Sequence, residues 1–158
     1  MSSLVPDGMI WSYSKLTTFE HCPLAFKLQY LDRLPQTNNA YAEYGTLCHS
    51  LLERWADGAL AAFELGSQYE QEFDQGVTHA FPPFPKGLGA KYYDAGKHYF
   101  DHFNGFGEGL TILSSEERFT TSVAGYPFVG IADLLLQDKN TGDIILMDSS
   151  LRRSHPRV

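Results

Sequence analysis

The chain is poor in cysteine, with only Cys22 and Cys48 among its 158 residues. Two cysteines cannot form the disulfide framework that stabilises small secreted domains, so the sequence favours a reducing, cytoplasmic setting. The chain also lacks any run approaching the roughly 20 apolar residues that a membrane helix needs. Its first residues, MSSLVPDGMIW, have neither the basic region nor the apolar core of a secretory signal. We therefore expect no association with a membrane.

Positive charge is also scarce, because 12 basic residues face 19 acidic ones and the net charge is −7. This balance argues against a protein that coats nucleic acid through bulk positive charge. It still permits an enzyme that holds a metal ion between clustered carboxylates and phosphates. The composition is otherwise globular, with 43% apolar and 20% charged residues, and the length favours one domain.

Helices are predicted over the first two thirds of the chain. Residues 12–34 should form two helical pieces, because Pro23 cannot donate a hydrogen bond inside a helix but fits its first turn. The clearest helix is predicted over 41–56, and weaker periodicity predicts helices over 59–76 and 88–104. One face of the 41–56 helix is apolar at helical spacing: Tyr44, Leu47, Cys48, Leu51, Leu52 and Trp55.

Strands are predicted over the last third. Residues 111–123 and 126–137 are rich in β-forming residues and are separated by Ala124-Gly125, a two-residue turn signal. A short apolar strand is predicted over 143–148. Helices first and strands afterwards predict an α/β fold in which N-terminal helices pack on a small mixed sheet with a three-stranded meander.

Three acidic residues lie on these three predicted strands. With Ala124-Gly125 as the hairpin loop, Glu116 falls opposite Asp133, unless a bulge shifts the pairing. Asp148 ends the third strand. Each acid alone has an ordinary structural explanation, but three carboxylates on consecutive strands are typical ligands of Mg²⁺ or Mn²⁺.

Four sequence blocks resemble the PD-(D/E)XK nuclease superfamily, and specifically its RecB-like exonuclease branch. SYSKLTTFEHCPLAFKLQY (12–30) is similar to the S-x-S-x-L-x-x-F-x-x-C-P opening of that branch, and YGTLCHSLLE (44–53) to its G-x-x-x-H-x-x-L-E helix. EERFTTSVAGYPFVGIADLLL (116–136) resembles its acidic hairpin, and TGDIILMD (141–148) the strand entering its D-x-K motif. The resemblance implies the restriction-endonuclease-like fold and metal-dependent hydrolysis of DNA.

Site residues follow from the resemblance, position by position. It implies that His49, Asp133 and Asp148 bind Mg²⁺ or Mn²⁺, and that Glu116, Asp133 and Asp148 are catalytic, with Glu117 as a rival for the first acid. In such nucleases the ion positions the scissile phosphate and lowers the pKa of an attacking water. The implied partners are DNA and a helicase or recombination protein, in phage or prophage DNA processing, recombination or repair.

The sequence departs from the motif after Asp148. The D-x-K lysine is replaced by Ser150, which cannot supply an ammonium to a phosphate. Residues 1–148 are therefore interpreted as the front part of a nuclease-like domain, cut short at its C-terminus, and 149–158 as a divergent, disordered tail. The alternative hypothesis is a nuclease remnant or DNA-binding module without turnover.

Two further groups of possible ligands have simpler explanations. Some relatives bind an iron–sulfur cluster through four cysteines, but this chain has two, so we expect no cluster and buried packing for Cys22 and Cys48. His98 and His102, four residues apart with Asp94 one turn before them, could chelate a transition metal. A solvated or aromatic-packed helix face is the simpler interpretation.

Overall fold

The computed structural model describes residues 8–35 and 37–147. They divide into two compact units, the first within Met1–Thr37 and Glu117–Ala132 and the second within Asn38–Glu116 and Asp133–Val158. Each unit therefore combines two separate stretches of the chain. No helix in the described ranges is both long and apolar enough to cross a membrane.

The first unit contains the predicted pair of N-terminal helices. Helix α1 spans Tyr13–His21, helix α2 spans Pro23–Phe26, and a π-helical turn, Lys27–Leu31, follows. Ser12 begins α1, since its hydroxyl accepts a hydrogen bond from the Lys15 N–H at 3.3 Å. Pro23 occupies the first turn of α2, as predicted, where its missing N–H has no helical partner to lose.

An aromatic cluster forms the core of this unit. The Trp11 ring stacks on Phe26 with 5.6 Å between centroids, and Phe19 meets Phe26 edge-on at 5.2 Å. Phe26 is fully buried. Trp11 also forms a parallel bridge with Phe128. Packing around Trp11 thus accounts for the positions of Phe19 and Phe26 in the opening sequence block.

The second unit holds three longer helices. Helix α3 spans Ala40–Ala56, a 3₁₀ turn covers Ala62–Glu64, helix α4 spans Leu65–Gly76 and helix α5 spans Leu88–Asp101. The bounds of α3 agree closely with the predicted 41–56, whereas α4 begins later than the predicted 59–76 and α5 ends earlier than the predicted 88–104. The three helices share one core of buried side chains: Tyr44, Leu47, Cys48, Leu51, Leu65, Tyr69 and Phe100.

Two polar contacts fix the geometry of α3. The Asn39 side chain accepts hydrogen bonds from the Tyr41 and Ala42 N–H groups, both at 3.0 Å, and thereby caps the helix. Near the other end, Arg54 donates two hydrogen bonds to the Glu72 carboxylate of α4, at 2.8 and 3.0 Å. Both bonds come from the same nitrogen, Nη1 of Arg54, so the ion pair joins α3 to α4 through a single donor atom.

The three strands form one sheet in the order β1-β2-β3, with β1 at Leu110–Val123, β2 at Tyr126–Asp138 and β3 at Ile144–Met147. Strands β2 and β3 are antiparallel, and Leu134 pairs with Met147. Ala124 and Gly125 have φ of 51° and 83°, as a two-residue type I′ hairpin turn requires. The α/β class and the meander are confirmed, and the three-stranded sheet is antiparallel; Trp11 and Phe128 form an isolated parallel bridge outside it.

Candidate functional site

His49 lies on α3 at the edge of the buried helical face. Its side chain is 42% exposed, whereas its neighbour Cys48 points into the core. The imidazole Nδ1 lies 3.7 Å from Oδ2 of Asp133. The helix thus brings a histidine from early in the chain beside a carboxylate that follows it by more than eighty residues.

Asp133 lies within β2 between two buried residues, Ala132 and Leu134. Side chains alternate between the faces of a strand, so burial of both neighbours places the carboxylate on the opposite face. Its side chain is 24% exposed, less than that of His49. The approach of His49 at 3.7 Å is a close contact and is too long for a hydrogen bond.

Glu116 lies at an irregularity in β1. Its φ is 48°, in the left-handed region that non-glycine residues rarely adopt. Lys139 N–H donates to the Gly109 carbonyl at 2.9 Å. Counted from this hydrogen bond to the hairpin turn, β1 has one residue more than β2. The extra residue defines a bulge, which redirects the side chains of its strand. The bulge therefore shifts the regular cross-strand pairing that would place Glu116 directly opposite Asp133.

His49, Asp133 and Glu116 all line one narrow crevice. Glu53, one turn after His49 on α3, lines the same crevice, together with Leu52 and Leu134. His49, Glu53 and Glu116 also border an adjoining cavity of about 420 Å³. Glu117, the rival for the first acid, lines neither of the two.

Glu53 is the residue of this group to which sequence reasoning gave no role. Its four-residue spacing from His49 already placed the two side chains on one face of the helix. The crevice thus combines one imidazole with three carboxylates from α3, β1 and β2. Three carboxylates in one crevice repel each other unless a cation or a proton lies between them.

The donor set fits a divalent ion in part. Metal–ligand bonds of about 2.0–2.2 Å place neighbouring ligand atoms roughly 3 Å apart, so 3.7 Å between His49 and Asp133 requires only a small adjustment. Within residues 8–35 and 37–147, however, no three His, Cys, Asp or Glu side chains are close enough to enclose an ion. Among the described residues, His49 and Asp133 therefore supply two of the donor atoms that a metal site would need.

Asp148, the third predicted metal ligand, lies outside the described residues, as do Ser150 and the tail predicted over 149–158. The last described residue of β3, Met147, pairs with Leu134, the immediate neighbour of Asp133. The described part of β3 thus ends beside the crevice, on the strand adjacent to β2, which carries Asp133.

The two cysteines differ from each other. Cys48 is buried, and burial raises the pKa of its thiol to about 11, which confirms the predicted packing role. The same prediction is wrong for Cys22, which is exposed. Its sulfur accepts a hydrogen bond from the Ala25 N–H at 3.4 Å and caps α2. The cause is Pro23, which starts a new helix at this position and leaves Cys22 as the residue before it.

The histidine pair of α5 is placed as its spacing suggested. The His98 and His102 rings lie 4.3 Å apart, and Nδ1 of His102 is 2.8 Å from the His98 carbonyl oxygen. Nearby Asp101 is held by Lys97. No third His, Cys, Asp or Glu of the described chain completes a metal site with this pair.

Comparisons with known proteins agree with the fold. A family model of the PD-(D/E)XK nuclease superfamily matches residues 10–149. Among curated proteins and among solved structures, no significant match is found. The matched range includes both described units, the crevice and the strand β3. With helices, an antiparallel three-stranded sheet and a match over most of its length, the chain belongs to the PD-(D/E)XK nuclease superfamily.

Proposed function

We propose that the protein is a divalent-metal-dependent DNA nuclease in which His49, Asp133 and Asp148 bind the ion. The observation that carries the proposal is the 3.7 Å approach of His49 to Asp133 in a crevice that Glu116 also lines. When bound, Mg²⁺ or Mn²⁺ supplies an electrophile for the scissile phosphate and lowers the pKa of a water. The RecB-like branch, and a role in phage DNA processing, recombination or repair, are the finer parts of the proposal.

The side chains of the crevice have distinct tasks under this proposal. Asp133 carries the negative charge that retains the ion, and His49 adds a neutral nitrogen ligand without further negative charge. Glu116 is placed to accept a proton from a water or to bind a second face of the hydrated ion. Its strained backbone costs of order 1–3 kcal/mol, a cost that is commonly found at functional positions.

A second candidate function is favoured by Ser150. The motif lysine would stabilise the developing negative charge and orient the water, and a serine hydroxyl lacks the charge for either task. We propose that turnover is impaired for this reason. In the limiting case the protein binds the ion and DNA without cleaving it.

The test uses the purified full chain, labelled single- and double-stranded DNA, and Mg²⁺ or Mn²⁺. We expect Asp133→Ala to lower Mn²⁺ affinity by at least about 10–100-fold, the range found for the weaker, outer partners of metal sites. Any slow cleavage of the DNA by the wild type should be absent in this variant. Asp74→Ala, the same chemical change on an exposed face of α4, is the matched control and should leave both unchanged.

The outcomes separate the two candidates. Cleavage by the wild type that Asp133→Ala abolishes would rule out the non-catalytic candidate. Binding of Mn²⁺ that depends on Asp133, without cleavage, would rule out the active enzyme. In that case Ser150→Lys should restore turnover, and failure to do so would show that more than the lysine is missing. Binding of Mn²⁺ that is indifferent to Asp133 would overturn the proposed site altogether.

A further inference from the structure

An aromatic cavity adjoins the carboxylate crevice. It measures about 600 Å³, within the size range of small-molecule pockets. Its walls carry the rings of six residues: Tyr41, Tyr44, Tyr92, Tyr99, Phe100 and Phe106. No Asp, Glu, Lys or Arg among the described residues lines it. The cavity therefore suits a flat, uncharged group.

Gly45 and His49 connect this cavity to the acidic side. Both residues border the aromatic cavity and also the 420 Å³ cavity that Glu53 and Glu116 line. A molecule that places one group among the rings and another at the carboxylates would cross α3 at these two residues. Gly45 lies in the interior of α3, where glycine costs up to about 1 kcal/mol relative to alanine.

Nothing in the packing explains that glycine. A Cβ added at Gly45 would meet no heavy atom of the described residues within 4 Å, its chain neighbours and helix backbone aside. In Gly96 of α5, by contrast, a Cβ would collide with the Tyr69 ring. Gly45 borders both cavities, and the described residues leave room for a side chain there, so packing does not account for a glycine at this position.

We propose that the aromatic cavity is a subsite for an unpaired nucleobase of the DNA strand whose phosphate binds at His49 and Asp133, and that Gly45 keeps the passage open. The inference rests on the proposed nuclease function. Bases stack on aromatic rings independently of sequence, through faces that every base has. A base in this cavity cannot pair, so the subsite selects single-stranded DNA or a frayed end over an intact duplex.

The exposed ring of Tyr99 is the best side chain for the base to stack on. Tyr99 is 44% exposed and Tyr41 42%, whereas Phe100 and Tyr44 are almost fully buried beneath them. Replacing Tyr99 by leucine keeps apolar volume and removes the ring face, so it separates stacking from packing.

The test is a fluorescence titration of a short single-stranded oligonucleotide that carries one 2-aminopurine, whose emission falls on stacking. Ca²⁺ is the cation, because it binds carboxylate and phosphate oxygens. For Gly45→Leu we expect the quenching to be lost and the affinity to fall roughly 5- to 150-fold, the equivalent of one stacked base. Tyr99→Leu should weaken both signals, and Phe63→Leu, a ring that is 87% exposed and lines none of these cavities, should change neither.

Thermal unfolding shows that the variants are folded, and Gly45→Leu should melt at or above the wild-type temperature because the helix gains a better helix former. Quenching that persists in a folded Gly45→Leu variant with unchanged affinity would overturn the subsite. If binding still requires the cation and Asp133, that result leaves the proposed function standing. Binding of the oligonucleotide that is indifferent to Ca²⁺ and to Asp133→Asn would instead refute the proposed function.

Discussion

Alanine substitutions at two glycines in helix interiors should change the free energy of unfolding in opposite directions. A Cβ at Gly96 of α5 would lie 2.5 Å from Cζ of Tyr69 and 2.9 Å from the Tyr44 hydroxyl oxygen, and still closer to the Tyr69 hydroxyl. Tyr69 is fully buried and donates its hydroxyl to the Tyr93 carbonyl at 3.2 Å. The ring therefore cannot move aside without losing a buried hydrogen bond or displacing the helix.

The magnitudes decide the sign for Gly96→Ala. Overpacking a core by one methyl group costs about 1–3 kcal/mol, and contacts this short favour the upper end. The better helix propensity of alanine offsets at most about 1 kcal/mol of this cost. We therefore expect the free energy of unfolding to fall by about 2 kcal/mol and the melting temperature by roughly 4–8 °C.

Gly45→Ala is the matched comparison, since the helix gain is the same and no atom opposes it. It should raise the free energy of unfolding by about 0.5–1 kcal/mol. Urea unfolding followed by circular dichroism measures both changes, and the two variants should differ by about 3 kcal/mol. A Gly96→Ala protein as stable as the wild type would refute the close packing of α5 against α4, and a destabilised Gly45→Ala would refute the open space above α3.

Two further predictions concern titratable groups. Hydrogen bonds from His79, first of all from its backbone N–H, lower the pKa of Glu43 from its ordinary 4.5 to about 2, so Glu43 should stabilise the fold above pH 4.5 and lose that effect as the pH falls towards 2. Glu43→Gln should therefore weaken the loss of stability between pH 6 and 3, and urea midpoints that fall equally in both proteins would contradict this. A thiol reagent should modify exposed Cys22 within minutes in the native protein and reach Cys48 only on unfolding, and equal rates at the two thiols would contradict their assigned environments.

Much of the local structure could be predicted from the sequence, because it depends on neighbours along the chain. Pro23 separates two helices through the geometry of its own ring, and the helical spacing that includes Leu47 and Leu51 marks the buried face of α3. The Ala124-Gly125 turn likewise depends on two adjacent residues that both accept positive φ. In each case the determining interaction spans a few residues.

Features that depend on distant contacts were less accessible. The bulge at Glu116 adds one residue to β1, and no local pattern distinguishes a strand with a bulge from a regular one. Cys22 looks apolar in sequence, yet it is exposed because the helix restarts at its neighbour. The aromatic cavity combines rings from α3 and α5 with Phe106 beyond the last helix, and only their packing reveals the space between them.

The charge balance of the crevice links these observations to function. Asp133, Glu53 and Glu116 give it three carboxylates, in a chain whose net charge is −7, so a phosphate cannot approach it without a cation. The described lining of the aromatic cavity offers no Lys or Arg to offset this repulsion, and the Ser150 hydroxyl carries no charge. Binding of DNA should therefore depend on the divalent ion for its electrostatic part and on stacking for the remainder. Under the two proposals, the ion and the aromatic rings would act on adjacent parts of one strand, on the two sides of Gly45 and His49.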